Sequence, residues 1–330
     1  MKVCGKIISR GEKVKVSLSV SKMFNGSTLE IPIVVINGVK EGPTLCVVGG
    51  VHGDEYEGPR AIAEIIKELN PKKLRGTFIG VPVLNVLAYR WGSRVTPEDQ
   101  KNLARVFPGK RDGTITEKIA YTFTQEIILK SDYIIDLHSG GTDYSYMDML
   151  CYFDVPGEVG RKSLELAQMF PISIIFRSFE KPIGRLIDTA ISNGIPSVGT
   201  ECKGEGRYQE SSKNIYTSGI KNVMKKLNMI DGTIEELPQK RIFVDLIEIM
   251  SEHEGFLKTK LELGQQVTKG TILGTLIDIF DREICRFKAQ TNGIILAIKT
   301  KPIVKPGDYV FILGKRIQIR KNWQDKQELD

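Results

Sequence analysis

Residues 44–59 read TLCVVGGVHGDEYEGP. An apolar run ends in Gly49-Gly50, and His52 and Glu55 follow three residues apart. A continuous apolar run closed by turn residues is the pattern of a strand buried on both faces. Pro59 then opens PRAIAEIIKEL, which has helical periodicity and closes at Asn70-Pro71. The stretch is therefore strand, loop and helix, with His52 and Glu55 in the loop. In open α/β sheets ligands gather outside the carboxyl ends of the strands.

A second apolar run, DYIIDLHSG at 132–140, ends in Asp136-Leu137-His138. Two imidazoles and one carboxylate at strand ends are the ligand types and count of a catalytic zinc site, which leaves a fourth position for water or substrate. The chain has three histidines, and two of them sit in this pattern. A single such histidine would read as a hydrogen-bonded structural residue; the pair plus Glu55 points to a metal. Nitrogen and oxygen donors suit zinc best, with manganese, cobalt and iron as other metals they accept. Asp54 and Asp136 are candidates either for orienting the ligand imidazoles or for loop and cap hydrogen bonds. His253, in SEHEG, has no partner pattern and reads as a surface residue.

Around these stretches the chain alternates strands and helices. VKVSLSV and LEIPIVVI flank a turn at FNGS, and TFIGVPVLN at 77–85 is another buried strand. Residues 86–116 carry Gly, Pro, Arg and Asp with little periodicity, the signature of a long functional loop. Helices are expected over 117–130, 158–169, 184–193 and about 212–229, and strands at 132–137, MDMLCYF, ISIIF and PSVGTE. The alternation predicts an α/β fold with a largely parallel or mixed sheet and helices on both faces.

The pattern changes near 232. From 241 onward there are short strands between Gly-rich and charged turns, which predicts a small all-β module. The expected division is a catalytic domain over 1–235 and an all-β domain over 236–330. ELGQQVTKGTILG and IVKPGDYVFILG resemble the half-barrels of biotinyl and lipoyl carrier domains. Their modified lysine sits in the hairpin between the halves; here that segment reads IDIFDREICRF, with no lysine at the tip, so no carrier role is expected. The tail at 320–330, RKNWQDKQELD, reads as frayed.

The 330 residues, 41% hydrophobic and 26% charged, have ordinary globular values and suit two domains. Five cysteines without a CxxC pair, and a start lacking a long apolar segment, predict a reduced, cytoplasmic protein. No apolar run approaches the roughly 20 residues needed to span a bilayer. The net charge of +7 suits anionic substrates or a solvated basic surface. No basic cluster with interleaved aromatics suggests nucleic-acid binding. Homo-oligomerisation is the default expectation.

A metal-activated water needs a proton acceptor. Glu201 ends PSVGTE at the carboxyl edge, and a carboxylate there serves as base and then as acid toward a leaving nitrogen. The alternatives are a surface pair with lysine, and Glu205 deeper in the loop as the base. The developing oxyanion needs a cation, for which the long loop offers Arg90, Arg94, Arg105 and Lys110. An arginine also clamps a substrate carboxylate.

GGVHGDEYEGP, RVTPEDQKNLARVFPG, DLHSG and GTECKGEG, taken in order, resemble the succinylglutamate desuccinylase/aspartoacylase family of zinc deacylases, relatives of the zinc carboxypeptidases. The likeness runs from about 40 to 230, and the β-module also fits. It implies a carboxypeptidase-like three-layer α/β/α domain whose entrance the β-module partly covers. It implies one zinc ion on His52, Glu55 and His138, with Glu201 as general base. It further implies that Arg94 polarises the scissile carbonyl and that Arg105 meets a substrate carboxylate. One departure stands out. The family usually has Asp-Leu-Asn-Arg where this chain has Asn102-Leu103-Ala104-Arg105. Asn102 and Arg105 are the expected substrate-binding residues, but Ala104 lacks the amide that helps hold the carboxylate. One lost hydrogen bond to a charged group is worth roughly 1.5–3 kcal/mol, so substrate recognition is built differently here. The expected function is hydrolysis of the amide of a small N-acyl amino acid or related amine. The nearest rival is a zinc carboxypeptidase acting on short peptides, and a remote one is a non-catalytic binding protein.

Overall fold

The computed structural model describes residues 1–178, 184–235 and 237–318, so the expectation for the tail at 320–330 lies outside the described residues. A short hairpin, β1 (Lys2–Val3) and β2 (Lys6–Ile7), precedes the long hairpin β3 (Glu12–Lys22) and β4 (Thr28–Asn37). Then come β5 (Lys40–Val48), α1 (Glu57–Glu68), β6 (Arg75–Val81), α2 (Val86–Trp91) and α3 (Ile115–Glu126). The strands β7 (Tyr133–Leu137), β8 (Tyr144–Tyr146) and β9 (Met149–Phe153) lead to α4 (Gly157–Ala167) and β10 (Ile174–Ser178). The helices α5 (Leu186–Ser192) and α6 (Glu210–Lys226) bracket β11 (Ser197–Glu201). The remainder is β-structure: β12 (Ile242–Met250), β13 (Gly255–Lys258), β14 (Gln266–Val267), β15 (Ile272–Ile277), β16 (Glu283–Lys288), β17 (Gly293–Lys299), β18 (Ile303–Val304) and β19 (Tyr309–Arg316).

The α/β reading holds. In the main sheet β5 pairs in parallel with both β6 and β7, and β7 with β11. The antiparallel pairs β9–β11 and β4–β6 make the sheet mixed. Alternation along β5 shows why its run is apolar throughout. Cys46 and Val48 enter one core with Phe123 of α3 and Ile187 of α5. Leu45 and Val47 enter another with Ile62 of α1, Leu164 of α4 and Tyr216 of α6. Both faces of the sheet are thus covered by helices, giving three layers.

The C-terminal strands join this sheet. β12 runs parallel to β10 on one side and antiparallel to β19 on the other, followed by β17. A separate antiparallel sheet, in the order β16-β15-β13-β18, closes over a third core that includes Leu257, Leu276, Phe287, Phe311 and Leu313. This is the smaller β-rich part of the fold.

Two differences from the sequence reading concern 77–130. The strand expected over 77–85 ends at Val81, and residues 86–91 form a helix rather than loop. Asn85 caps that helix, its Oδ1 accepting from Ala88 N at 3.1 Å, and Gly92 ends it in the left-handed conformation. Asparagine before the turn and glycine after it were the signals, but six residues are too few to show periodicity. The helix expected to reach 130 ends at Glu126 and gives way to a 3-10 turn at Ile128–Lys130. Among the described residues no helix is long and apolar enough to cross a membrane.

Candidate metal centre and substrate cavity

The centre grows out of the carboxyl ends of three adjacent parallel strands, β5, β7 and β11. After β5 the chain turns at Gly50, whose φ of +58° favours glycine. Gly53 then passes so close to α2 that a Cβ on it would lie 2.1 Å from the Ala88 carbonyl. This tight loop delivers His52 and Glu55, both buried. β7 delivers His138 directly, and the Tyr216 hydroxyl donates to the His138 carbonyl and pins the strand end.

His52 Nδ1 lies 2.7 Å from Glu55 Oε1, and His138 Nδ1 lies 2.9 Å from Glu55 Oε2. The donor atoms of these three residues all lie within 4.8 Å of one another. The far nitrogens are held as well. His52 Nε2 is 3.0 Å from Asn102 Oδ1, and His138 Nε2 is 3.1 Å from Asp136 Oδ2. Asn102 Oδ1 also accepts from Ala104 N at 2.8 Å, which fixes its oxygen toward the ring. Each imidazole therefore faces an acceptor on both nitrogens, so a neutral ring is one proton short. A cation where the two Nδ1 atoms and the carboxylate converge resolves both rings at once. The donor set, with second partners fixing each tautomer, fits a divalent metal.

The electrostatics agree. Burial lowers the His52 imidazole, and Arg94 adds to that. Burial also opposes charge on His138, but Asp136 and Glu55 outweigh it and raise it well above the ordinary value. Glu55 resists burial because two imidazoles hold its carboxyl low.

Arg94 Nη1 stands 3.4 Å from Glu55 Oε1. It lines a cavity of about 360 Å³ together with His52, His138, Asn102, Arg105 and Glu201. All seven residues singled out from the sequence thus come together: Glu55 touches both imidazoles and Arg94, and the other six line the cavity. Burial pushes the Glu201 carboxyl up to about 8; His138 and Arg94 oppose that rise and Glu55 adds to it. Arg105 spends Nη1 on the Ala104 carbonyl at 2.8 Å and lines the cavity beyond the metal residues. Asn102, expected on substrate, also touches His52.

Other candidates lie elsewhere. Glu205 accepts from the Ser145 hydroxyl at 2.7 Å and stands 3.6 Å from Lys203, outside the cavity lining. Lys110 pairs with Glu117, and Arg90 does not line the cavity. Asp54 accepts from Thr142 N at 2.8 Å rather than from an imidazole, whereas Asp136 does face one. His253 is exposed.

Sequence reading missed several lining residues. Tyr144 and Tyr146 face the cavity while Ser145 between them meets Glu205, the period of a strand in TDYSYMD. Arg185 lines it too, but its guanidinium is engaged by Asp188 Oδ1 at 2.6 Å. Leu246, Glu248, Tyr309 and Ile312 come from β12 and β19, whose place beside the sheet no local pattern announced.

Comparison with known proteins agrees with this geometry. Residues 41–227 match the sequence profile of the succinylglutamate desuccinylase/aspartoacylase catalytic domain. The N-alpha-acetyl-L-2,4-diaminobutyric acid deacetylase of Halomonas elongata is 32% identical over 296 residues, covering 87% of this chain and 86% of the relative. The product-bound structure of the ectoine utilization protein of Ruegeria pomeroyi superposes with a TM-score of 0.86 at 27% identity, covering 94% of this chain and 97% of that one. A succinylglutamate desuccinylase from a Silicibacter species gives 0.84 at 25% identity, covering 93% and 95%. With the profile spanning more than half of the sequence, the chain belongs to the succinylglutamate desuccinylase/aspartoacylase family.

Proposed function

We propose that the protein is a zinc-dependent deacylase that hydrolyses the amide bond of a small N-acyl amino acid. The observation that carries this reading is the convergence of His52, Glu55 and His138 at one end of a closed-in cavity that also holds Glu201, Arg94 and Arg105. The deacetylase and desuccinylase names of the relatives support it. His52, Glu55 and His138 would hold one zinc ion per chain. Bound there, zinc supplies Lewis acidity and a water of lowered pKa.

The remaining work falls to the chain's own side chains. Glu201 accepts the proton of the attacking water on its carboxylate and later delivers it to the leaving amine nitrogen. Burial raises the Glu201 carboxyl in the metal-free site, and a zinc ion beside it would favour the ionised form that accepts the proton. Arg94, charged and half-buried, donates to the carbonyl oxygen as negative charge develops on it. Arg105 holds the substrate carboxylate with the N–H groups it does not spend on Ala104. Asn102 and Asp136 keep the Nδ1 atoms of His52 and His138 aimed at the ion.

We also propose a division of the chain into a catalytic unit, 1–235, and a β-rich unit, 236–330, that flanks the cavity mouth. Five cysteines, none in a disulfide, support a cytoplasmic setting. The partner is a small-molecule substrate, with neither nucleic acid nor membrane involved, and self-association is the expected assembly.

Metal analysis of purified protein, paired with amine release from a panel of N-acyl amino acids, tests the reading. About one zinc per chain and chelator-sensitive release are expected. Release of C-terminal residues from peptides in place of deacylation would reassign the substrate class, and absence of a transition metal would remove the mechanism.

A further inference from the structure

The short strand β8 is held along both edges, just where β11 delivers Glu201. On one edge Tyr146 N donates to the Lys203 carbonyl at 3.0 Å, and Ser145 bridges to Gly204, so β8 lies against the chain that leaves Glu201. On the other edge β17 pairs with it antiparallel, with Tyr146 opposite Ala297, and Met147 N donates to the Leu296 carbonyl at 2.8 Å. The Tyr146 ring packs against a small core that includes Met149, Val244 and Leu296, and its centroid lies 5.7 Å from that of Tyr144. Backbone and ring are therefore fixed. The hydroxyl is not: among the described residues it has no hydrogen-bond partner, and Tyr146 lines the cavity together with Arg94 and Glu201. Burial pushes the phenol well above its ordinary value; Glu201 adds to that rise and Arg94 opposes it. The proton thus stays on the oxygen at neutral pH.

An O–H held rigidly beside a base, with no partner of its own, is a preorganised donor. Resting on the deacylase reading, we propose that Tyr146 is a further catalytic residue whose hydroxyl donates, together with Arg94, to the scissile carbonyl oxygen. As water adds, its oxygen bonds to the carbonyl carbon, the carbonyl π pair moves onto the carbonyl oxygen, and the water proton passes to Glu201. The C–N bond then breaks as that proton reaches the leaving nitrogen, and the pair on the oxygen re-forms the carbonyl. Tyr146 keeps its own proton throughout and bonds most strongly while the oxygen carries charge. The β-rich unit then takes part in catalysis through β17, which sets where this donor stands.

The test is Tyr146→Phe, which keeps the packed ring and removes the donor. In the zinc-loaded protein, kcat on the N-acyl amino acid that is hydrolysed fastest should fall about 10²-fold, with KM nearly unchanged. This is the lower end for one oxyanion donor, because Arg94 still serves the same oxygen. A second readout needs no turnover. The phosphonamidate counterpart of that substrate, with phosphorus in place of the carbonyl carbon, presents a tetrahedral, charged centre. Its calorimetric affinity should drop about 10- to 100-fold in the variant, while the product amino acid binds both proteins alike. Unchanged kcat, or equal losses for the phosphonamidate and the product, overturns the assignment and leaves the deacylase reading standing. No amine release by the wild type from any N-acyl amino acid overturns the deacylase reading itself, and the assignment with it.

Discussion

The two walls of the cavity are built on different principles. On the metal side His52, Glu55, His138 and Asp136 sit on or just beyond the ends of β5 and β7. Their polar atoms are largely engaged with one another. On the far side Arg105 comes from a long loop and Glu248 and Tyr309 from the C-terminal strands; all three line the cavity, and of Arg105 only Nη1 is spent, on the Ala104 carbonyl. The first wall is preorganised before any substrate arrives, which is what electrostatic catalysis needs. The second has unspent hydrogen-bonding capacity, which is what recognition needs. Substitutions on the two sides should therefore fail in different ways.

The sharpest way to break the comparison is at Glu201. Glu201→Gln keeps the volume and removes the proton acceptor, so kcat should fall by about 10²- to 10⁴-fold with zinc content unchanged. If kcat survives and KM rises instead, Glu201 belongs to the recognition wall.

Arg105 tests the other side. Arg105→Ala should raise KM by about 10- to 100-fold, the cost of losing hydrogen bonds to a carboxylate, with a smaller change in kcat. Steady-state kinetics on an N-acyl amino acid and on its carboxamide measure this. The carboxamide should be nearly indifferent to the substitution, and a parallel loss on both compounds would show that Arg105 merely supports the loop.

The contrast also explains what the sequence made legible. The metal wall is local: each residue closes an apolar run, so the strand pattern and residue type place His52, Glu55, His138 and Glu201 together at one sheet edge. The eight-residue spacing from Arg94 to Asn102 and beyond carried no such geometry, and the likeness to a family supplied their roles. Glu248 and Tyr309 were out of reach. Their positions depend on β12 pairing in parallel with β10, a long-range contact that no local pattern encodes. Tyr144 and Tyr146 lay between these cases, since a three-residue strand is too short to declare its period. Asn102 was legible as a member of the site but not as the partner of His52, because a side chain fifty residues away decides that contact.

That contact gives a smaller expected effect. Asn102→Ala removes the acceptor on His52 Nε2, and partners of this kind are worth about 10- to 100-fold in metal affinity. A value near the lower end is expected, since His138 keeps Asp136 and Glu55 is untouched. Competition with a zinc chelator gives the affinity directly. An unchanged affinity would mean that the ring is held by packing alone.

The smallest effect is a pH dependence of the metal-free protein, and it follows from the tightness of the metal wall. Burial pushes the Glu201 carboxyl up to about 8 from an ordinary 4.5, with Glu55 adding and His138 and Arg94 subtracting. A carboxyl raised by folding binds its proton more tightly in the folded chain. Its contribution to stability is therefore whole below about pH 4.5 and is lost as the pH climbs through about 8. Glu201→Gln stays neutral throughout and escapes that loss. After chelation, the melting temperature of Glu201→Gln should gain on the wild type as pH rises across this window. Glu201 is partly open to the cavity, so water blunts the difference. A zinc ion at His52, Glu55 and His138 favours the ionised carboxylate, so loading the metal should flatten the difference between the two proteins. Parallel curves with and without zinc would show that Glu201 is solvated well enough to titrate normally, and would move it out of the preorganised wall.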